Sequence, residues 1–150
     1  AGGTSYIFKV AAAGGSPIRV SDLVALSPGF ASPDGRHIAF AAPGKNGTIE
    51  VAVVSAEKGT LESRTPSPST FDMSVSAGCW MPDNRSLALV DLRSGAPNLW
   101  AIPLFGGPQR QLTHFASGVI WGCAYSPDGK SIAMARGSRQ SDAVLFISAN

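Results

Sequence analysis

The chain has 150 residues, 44% hydrophobic and 15% charged, which excludes a disordered polymer and admits one ordinary domain with a buried core. Its net charge of +2 comes from scattered basic residues, so neither a clustered face for nucleic acid nor nucleic-acid binding is expected. No apolar run approaches the ~18–20 residues of a membrane span, and no membrane insertion is expected. Ala1-Gly2-Gly3-Thr4-Ser5 lacks an initiator Met and the basic and apolar regions of a signal peptide, as expected of a chain that has been processed, trimmed or excerpted.

The 17 glycines and 11 prolines fall between short apolar runs, and no long stretch carries capped helical periodicity, so the chain reads as all-β. Tyr6 to Val10 alternates as a strand, and Gly14-Gly15 with Pro17 turns it into a short strand, Ile18 to Val20. Leu23 to Ala31 leads into a Pro33-Asp34 turn and a strand from Arg36 to Ala41. The polar loop Pro43 to Gly47 precedes a strand from Thr48 to Ser55, and Glu57-Lys58-Gly59 turns into a strand around Leu61 to Thr65. The next unit runs Met73 to Trp80, turn, Ser86 to Asp91, loop, Asn98 to Leu104, turn, Gln109 to Thr113. The last runs Val119 to Tyr125, turn, Lys130 to Ala135, loop, and Ala143 to Ser148.

One motif organises this order. Ser32-Pro33-Asp34-Gly35-Arg36, Met81-Pro82-Asp83-Asn84-Arg85 and Ser126-Pro127-Asp128-Gly129-Lys130 each precede a strand of alternating apolar and small residues. Proline presets φ, the Asp caps the turn, and Gly35, Asn84 and Gly129 are residue types that tolerate a left-handed conformation. A second hairpin type also repeats, so that superposing Gly14-Gly15 on Gly106-Gly107 places Phe8 on Trp100 and Val10 on Ile102. With four strands A to D per unit, the chain reads C-D, A-B-C-D, A-B-C-D, A-B-C. Tandem four-stranded meanders repeating every ~40–50 residues are the signature of β-propeller blades. The expected organisation is one propeller half-ring over 1–150: a C-D hairpin 4–21, a blade 22–66, a blade 71–114 and an incomplete blade 117–150. Three blades do not close a ring, since propellers have about four to eight.

These repeats resemble the TolB-type, WD40-like propeller family, whose pattern is an aromatic, S-P-D-G, a basic residue and I-A-F, then an aromatic strand, G-G and L-T. Ala31, Met81 and Asn84 depart from it. The stretch from Trp80 to Asn150 also resembles the propeller end of large bacterial kinase and winged-helix regulatory proteins. The resemblance implies a binding or assembly role, and a periplasmic or extracellular location, more than any chemistry.

Pro33, Asp34, Gly35, Pro82, Asp83, Asn84, Pro127, Asp128 and Gly129 read as structural turns, not as acid/base or metal carboxylates. His37 and His114 lack ligand-spaced partners, no G-x-S-x-G occurs, and the Gly-Gly pairs precede no helix. The expectation is a non-enzyme with no metal or cofactor. Arg36, Arg85 and Lys130 share one repeat position and read as solvated turn flanks; Trp80, Trp100 and Trp121 read as inter-blade core. Asn46-Gly47-Thr48 fits a glycosylation sequon that many turns also fit. Cys79 and Cys123 lie one register apart on equivalent strands, hence on opposite faces, and read as small buried hydrophobes, a disulfide needing distortion. The loops opposite the Pro-Asp turns carry Lys45, Asp91, Arg93, His114, Arg136, Arg139 and Asp142, with Arg93, His114, Arg136 and Arg139 as the candidate rim for a protein or small ligand. The open arc is expected to self-associate as a homodimer forming a six-bladed ring, through Tyr6, Phe8, Val10, Val144 and Phe146. The alternative is an excerpt of a larger propeller-containing enzyme or signalling protein.

Overall fold

Each apolar–small alternation after a Pro-Asp turn becomes a β-strand in the structure, a computed structural model that describes residues 4–67 and 78–138. The strands are β1 (Phe8–Lys9), β2 (Ile18–Arg19), β3 (Phe30–Ala31), β4 (His37–Pro43), β5 (Ile49–Ser55) and β6 (Leu61–Pro66), then β7 (Gly78–Trp80), β8 (Ser86–Asp91), β9 (Asn98–Pro103), β10 (Arg110–Gln111), β11 (Val119–Tyr125) and β12 (Ile132–Gly137). They form four antiparallel sheets: a hairpin β1-β2, a blade β3-β4-β5-β6, a second blade β7-β8-β9-β10 and a half-blade β11-β12. The chain is an incomplete propeller of stacked blades.

The Pro-Asp turns close by one device used in two forms. In the first and third, Ser32 Oγ donates to Asp34 Oδ1 and Ser126 Oγ to Asp128 Oδ1, both at 2.6 Å. The same carboxylate oxygens accept the Arg36 and Lys130 amides. Met81 stands where the serine would be, and there Asp83 Oδ1 accepts two amides instead, from Arg85 and Ser86. Gly35, Asn84 and Gly129 follow with φ of 71°, 53° and 70°, the left-handed region.

Blades hold each other face to face. Along β4 and β5 alternate residues point in opposite directions: Ala39, Val51 and Val53 toward the second blade, Phe40, Ala42, Ala52 and Val54 toward the hairpin. The second blade answers with Trp80, Leu87, Leu89, Ile102 and Leu104, all buried, and the hairpin with Ile7 and Val20. Each fully buried Leu or Ile contributes roughly 1.5–3 kcal/mol, so these two seams supply most of the core. Gly59 brings the hairpin close: its φ is 68°, and a Cβ there would overlap the Val20 carbonyl.

Cys79 and Cys123 form a disulfide, with Cα atoms 5.7 Å apart, contrary to the expectation of two separate thiols. The two residues do lie out of step, since Cys79 pairs with Ala88 and Cys123 with Met134, one position apart in equivalent strands. Opposite faces are nevertheless what stacked blades require, because the leading face of one sheet meets the trailing face of the next. The seam between the first two blades uses the same two repeat positions, with Phe30 lying against Gly78. Trp121 also departs from expectation. Trp80 and Trp100 pack in the core, but a bulge between Ile120 and Gly122 turns Trp121 outward, 45% exposed, and Ile120 takes the buried place.

The disulfide closes a sequence separation of 44 residues, for which loop-closure entropy corresponds to about 4 kcal/mol. Replacing both cysteines by serine is expected to lower stability by an amount of that order in urea denaturation. An unchanged midpoint would show that the half-blade is held without it.

Candidate functional site

The four-stranded meander puts A–B and C–D turns at one end and B–C and D–A loops at the other. The loop rim is therefore built from the ends of β8, β9 and β12. Asp91, fully buried, accepts from the Arg93 amide at 2.8 Å and Arg93 Nε at 2.7 Å, and the guanidinium lies 4.4 Å from the Trp100 ring centre. Opposite Asp91 in the ladder, buried Asn98 bridges β9 to the D–A loop. Its Oδ1 accepts from the Phe115 amide and Thr113 hydroxyl, and its Nδ2 donates to the Phe115 carbonyl. The Phe115 ring in turn carries Arg136, which donates to the Ser117 carbonyl at 2.6 Å. Arg93 and Arg136 are thus joined through Asp91, Asn98 and Phe115, while His114 projects exposed from the segment that Asn98 holds. Arg139 lies outside the described residues. Nothing in the sequence marked Asn98 as the organiser, because the partners that tie it to the D–A loop lie 15–17 positions away.

At the opposite end the three Pro-Asp turns stand side by side. Asn84 Oδ1 accepts the Asp34 amide, and Gly129 lies against the Pro82 ring. Ser32 and the Arg36 amide hold the Asp34 carboxyl below its usual 3.8, and Ser126 and the Lys130 amide do the same for Asp128. Beside them, at the seam of the two blades, His37 Nδ1 sits 2.6 Å from Glu62 Oε2. Its ring stacks on Trp80 and meets the edge of Phe105. This pair carries no local signal, being 25 residues apart and adjacent only across the sheet.

A cleft of about 560 Å³ runs along the innermost strands β3, β7 and β11, with Phe30, Trp80, Pro82 and Tyr125 among its walls and the disulfide beside them. Burial pushes the Tyr125 phenol above its usual 10.0 despite the opposing charge of Arg110, with Asp83 adding to the rise. The phenol is therefore a neutral hydrogen-bond donor at neutral pH.

Among the described residues both ends of the arc leave a sheet edge unpaired. Phe8 and Val10 are each 55% exposed, although the residues superposed on them, Trp100 and Ile102, pack in the core. Tyr6 on the same face carries Arg19, its guanidinium 3.5 Å from the ring centre. Among the described residues no strand pairs with the outer edge of β1 or of β12. Val144 and Phe146 lie outside the described residues.

Solved structures share this architecture. TolB from Acinetobacter baumannii superposes with a TM-score of 0.70 at 21% identity over 93% of the chain, and a protein described as TolB from Agrobacterium tumefaciens with 0.65 at 18% over 90%. The fold is the TolB-like β-propeller. At these identities the likeness is one of fold, and the chain spans only 34% and 47% of the two TolB chains. No protein-family model and no curated protein sequence matches it.

The turn carboxylates generate a pH dependence. Their lowered pKa means that their contribution is complete above the unfolded value and is lost as pH falls through the folded one. Replacing Asp34 and Asp128 by Asn is expected to lower stability at neutral pH and to flatten its decline between about pH 5 and pH 2. Urea midpoints measured against pH check this; an acid limb as steep in the double variant as in the parent would contradict it.

Proposed function

We propose that the chain is a non-enzymatic propeller scaffold that acts by association, two copies closing a six-bladed ring whose loop rim binds a protein or small ligand. The observation that carries this is the exposure of Phe8 and Val10 on a hairpin built like the outer half of a complete blade. Apolar edges of this kind, with free strand backbone beside them, are templates for another sheet. A closed dimer uses each end of one copy against the other end of its partner. The rim suits recognition because Asp91, Asn98 and Phe115 hold its arginines on rigid strand ends and leave His114 exposed. The disulfide suits an oxidising compartment such as the periplasm or the extracellular space.

A second reading is favoured by one finding, the 34–47% of each TolB chain that this chain spans. On it, the open ends meet further blades of a longer propeller, such as those at the end of bacterial kinase or winged-helix regulatory proteins, and any activity belongs to the whole protein. The two readings part in solution. Light scattering of the purified chain is expected to give twice the chain mass. Val10→Asp is expected to weaken association by about 2 kcal/mol or more, roughly 30-fold, because the carboxylate is desolvated in the joint. A well-folded monomer at all concentrations would remove the first reading.

A further inference from the structure

The hairpin β1-β2 is a copy of β9-β10 in backbone as well as in sequence. Gly14 and Gly15 have φ of 93° and 127°, Gly106 and Gly107 have 91° and 126°. Phe8 pairs with Arg19 as Trp100 pairs with Gln111, and Lys9 with Ile18 as Ala101 with Arg110. The Val20 amide donates to the Ile7 carbonyl as the Leu112 amide does to Leu99, both at 2.8 Å. The half-blade β11-β12 is likewise a copy of β7-β8: Cys123 pairs with Met134 as Gly78 with Leu89, and Ala124 with Ala133 as Cys79 with Ala88. Among the described residues, one end is therefore the outer half of a blade and the other the inner half.

The second blade shows how two such halves join. There β8 and β9 pair with Leu87 opposite Ile102, Ala88 opposite Ala101 and Leu89 opposite Trp100. Resting on the self-association reading above, we infer that β12 of one copy and β1 of the other pair in this register, with Met134 opposite Phe8, Ala133 opposite Lys9 and Ile132 opposite Val10. The occupant of each open edge is thus the complementary half-blade of a second copy.

The faces agree with this register independently of the template. Met134 shares the face of Cys123, which is bonded to Cys79 and so looks back toward the second blade of its own copy. Phe8 and Val10 are on the hairpin face that points away from the first blade, since Ile7 and Val20 cover that blade. Joined in the stated register, Ile132, Met134, Phe8 and Val10 form one apolar face. The composite blade is then seated on the second blade of one copy and under the first blade of the other. A slip of one residue would turn Lys9 into that face and Phe8 out of it.

Cysteine pairs test the register. Phe8→Cys with Met134→Cys, and separately Lys9→Cys with Ala133→Cys, are expected to give disulfide-linked dimers under mild oxidation, located by peptide mapping. The linked yield is expected to exceed that of the slipped pair, Phe8→Cys with Ile132→Cys, by roughly ten-fold, because Cα atoms beyond about 7 Å cannot be bridged. The Lys9 and Ala133 positions are both exposed, so that variant tests the register even if replacing Phe8 disturbs the hairpin. A dimer by light scattering in which the slipped pair links as well or better, or neither matched pair links, overturns the register and leaves self-association standing. A link within one chain, or residues 139–150 of the same chain protected against β12 in hydrogen exchange, gives the edge another occupant and overturns the inference. A monomer throughout overturns both.

Discussion

Face-to-face stacking of blades is the constraint on which everything else in this chain depends. A four-stranded meander of this size has two apolar faces and cannot bury either alone. β4 and β5 show the consequence, sending Ala39, Val51 and Val53 one way and Phe40, Ala52 and Val54 the other. Each blade is thus a spacer between neighbours, and stability is passed from seam to seam as in other repeat proteins. The Pro-Asp turns serve this arrangement. They fix the register of the innermost hairpin, and with it which residues face which neighbour.

Features settled within a few residues were legible in the sequence. Proline, Asp and a residue tolerant of positive φ determine a turn locally, and the two hairpin types superpose on their residues alone. What crosses between blades was not legible. The cysteines were placed in the correct register, yet their partnership depended on one sheet facing the next, which a comparison of equivalent strands does not contain. Trp121 looked like the other tryptophans until a bulge reversed its direction. Asn98 and the His37–Glu62 pair act across loops and sheets, so their spacing in the chain carried no signal.

The same logic bears on function. The arginines of the loop rim are already engaged, Arg93 by Asp91 and Trp100, Arg136 by Phe115 and Ser117. These contacts fix where the two side chains lie. Three of the exposed apolar residues, Phe8, Val10 and Ile18, lie on the hairpin, and others, such as Leu61 and Trp121, lie elsewhere. On the reading proposed above, the apolar face left uncovered at the hairpin is where a second copy gives the stack its continuation.

Small-angle X-ray scattering of the purified chain tests that continuation most directly, since it reports mass and shape together. A closed pair is expected to show twice the chain mass and a radius of gyration of about 19 Å, as for a compact body of twice this length. A particle of one chain mass with a radius near 15 Å would mean that the arc stands alone, and would contradict ring closure by a second copy.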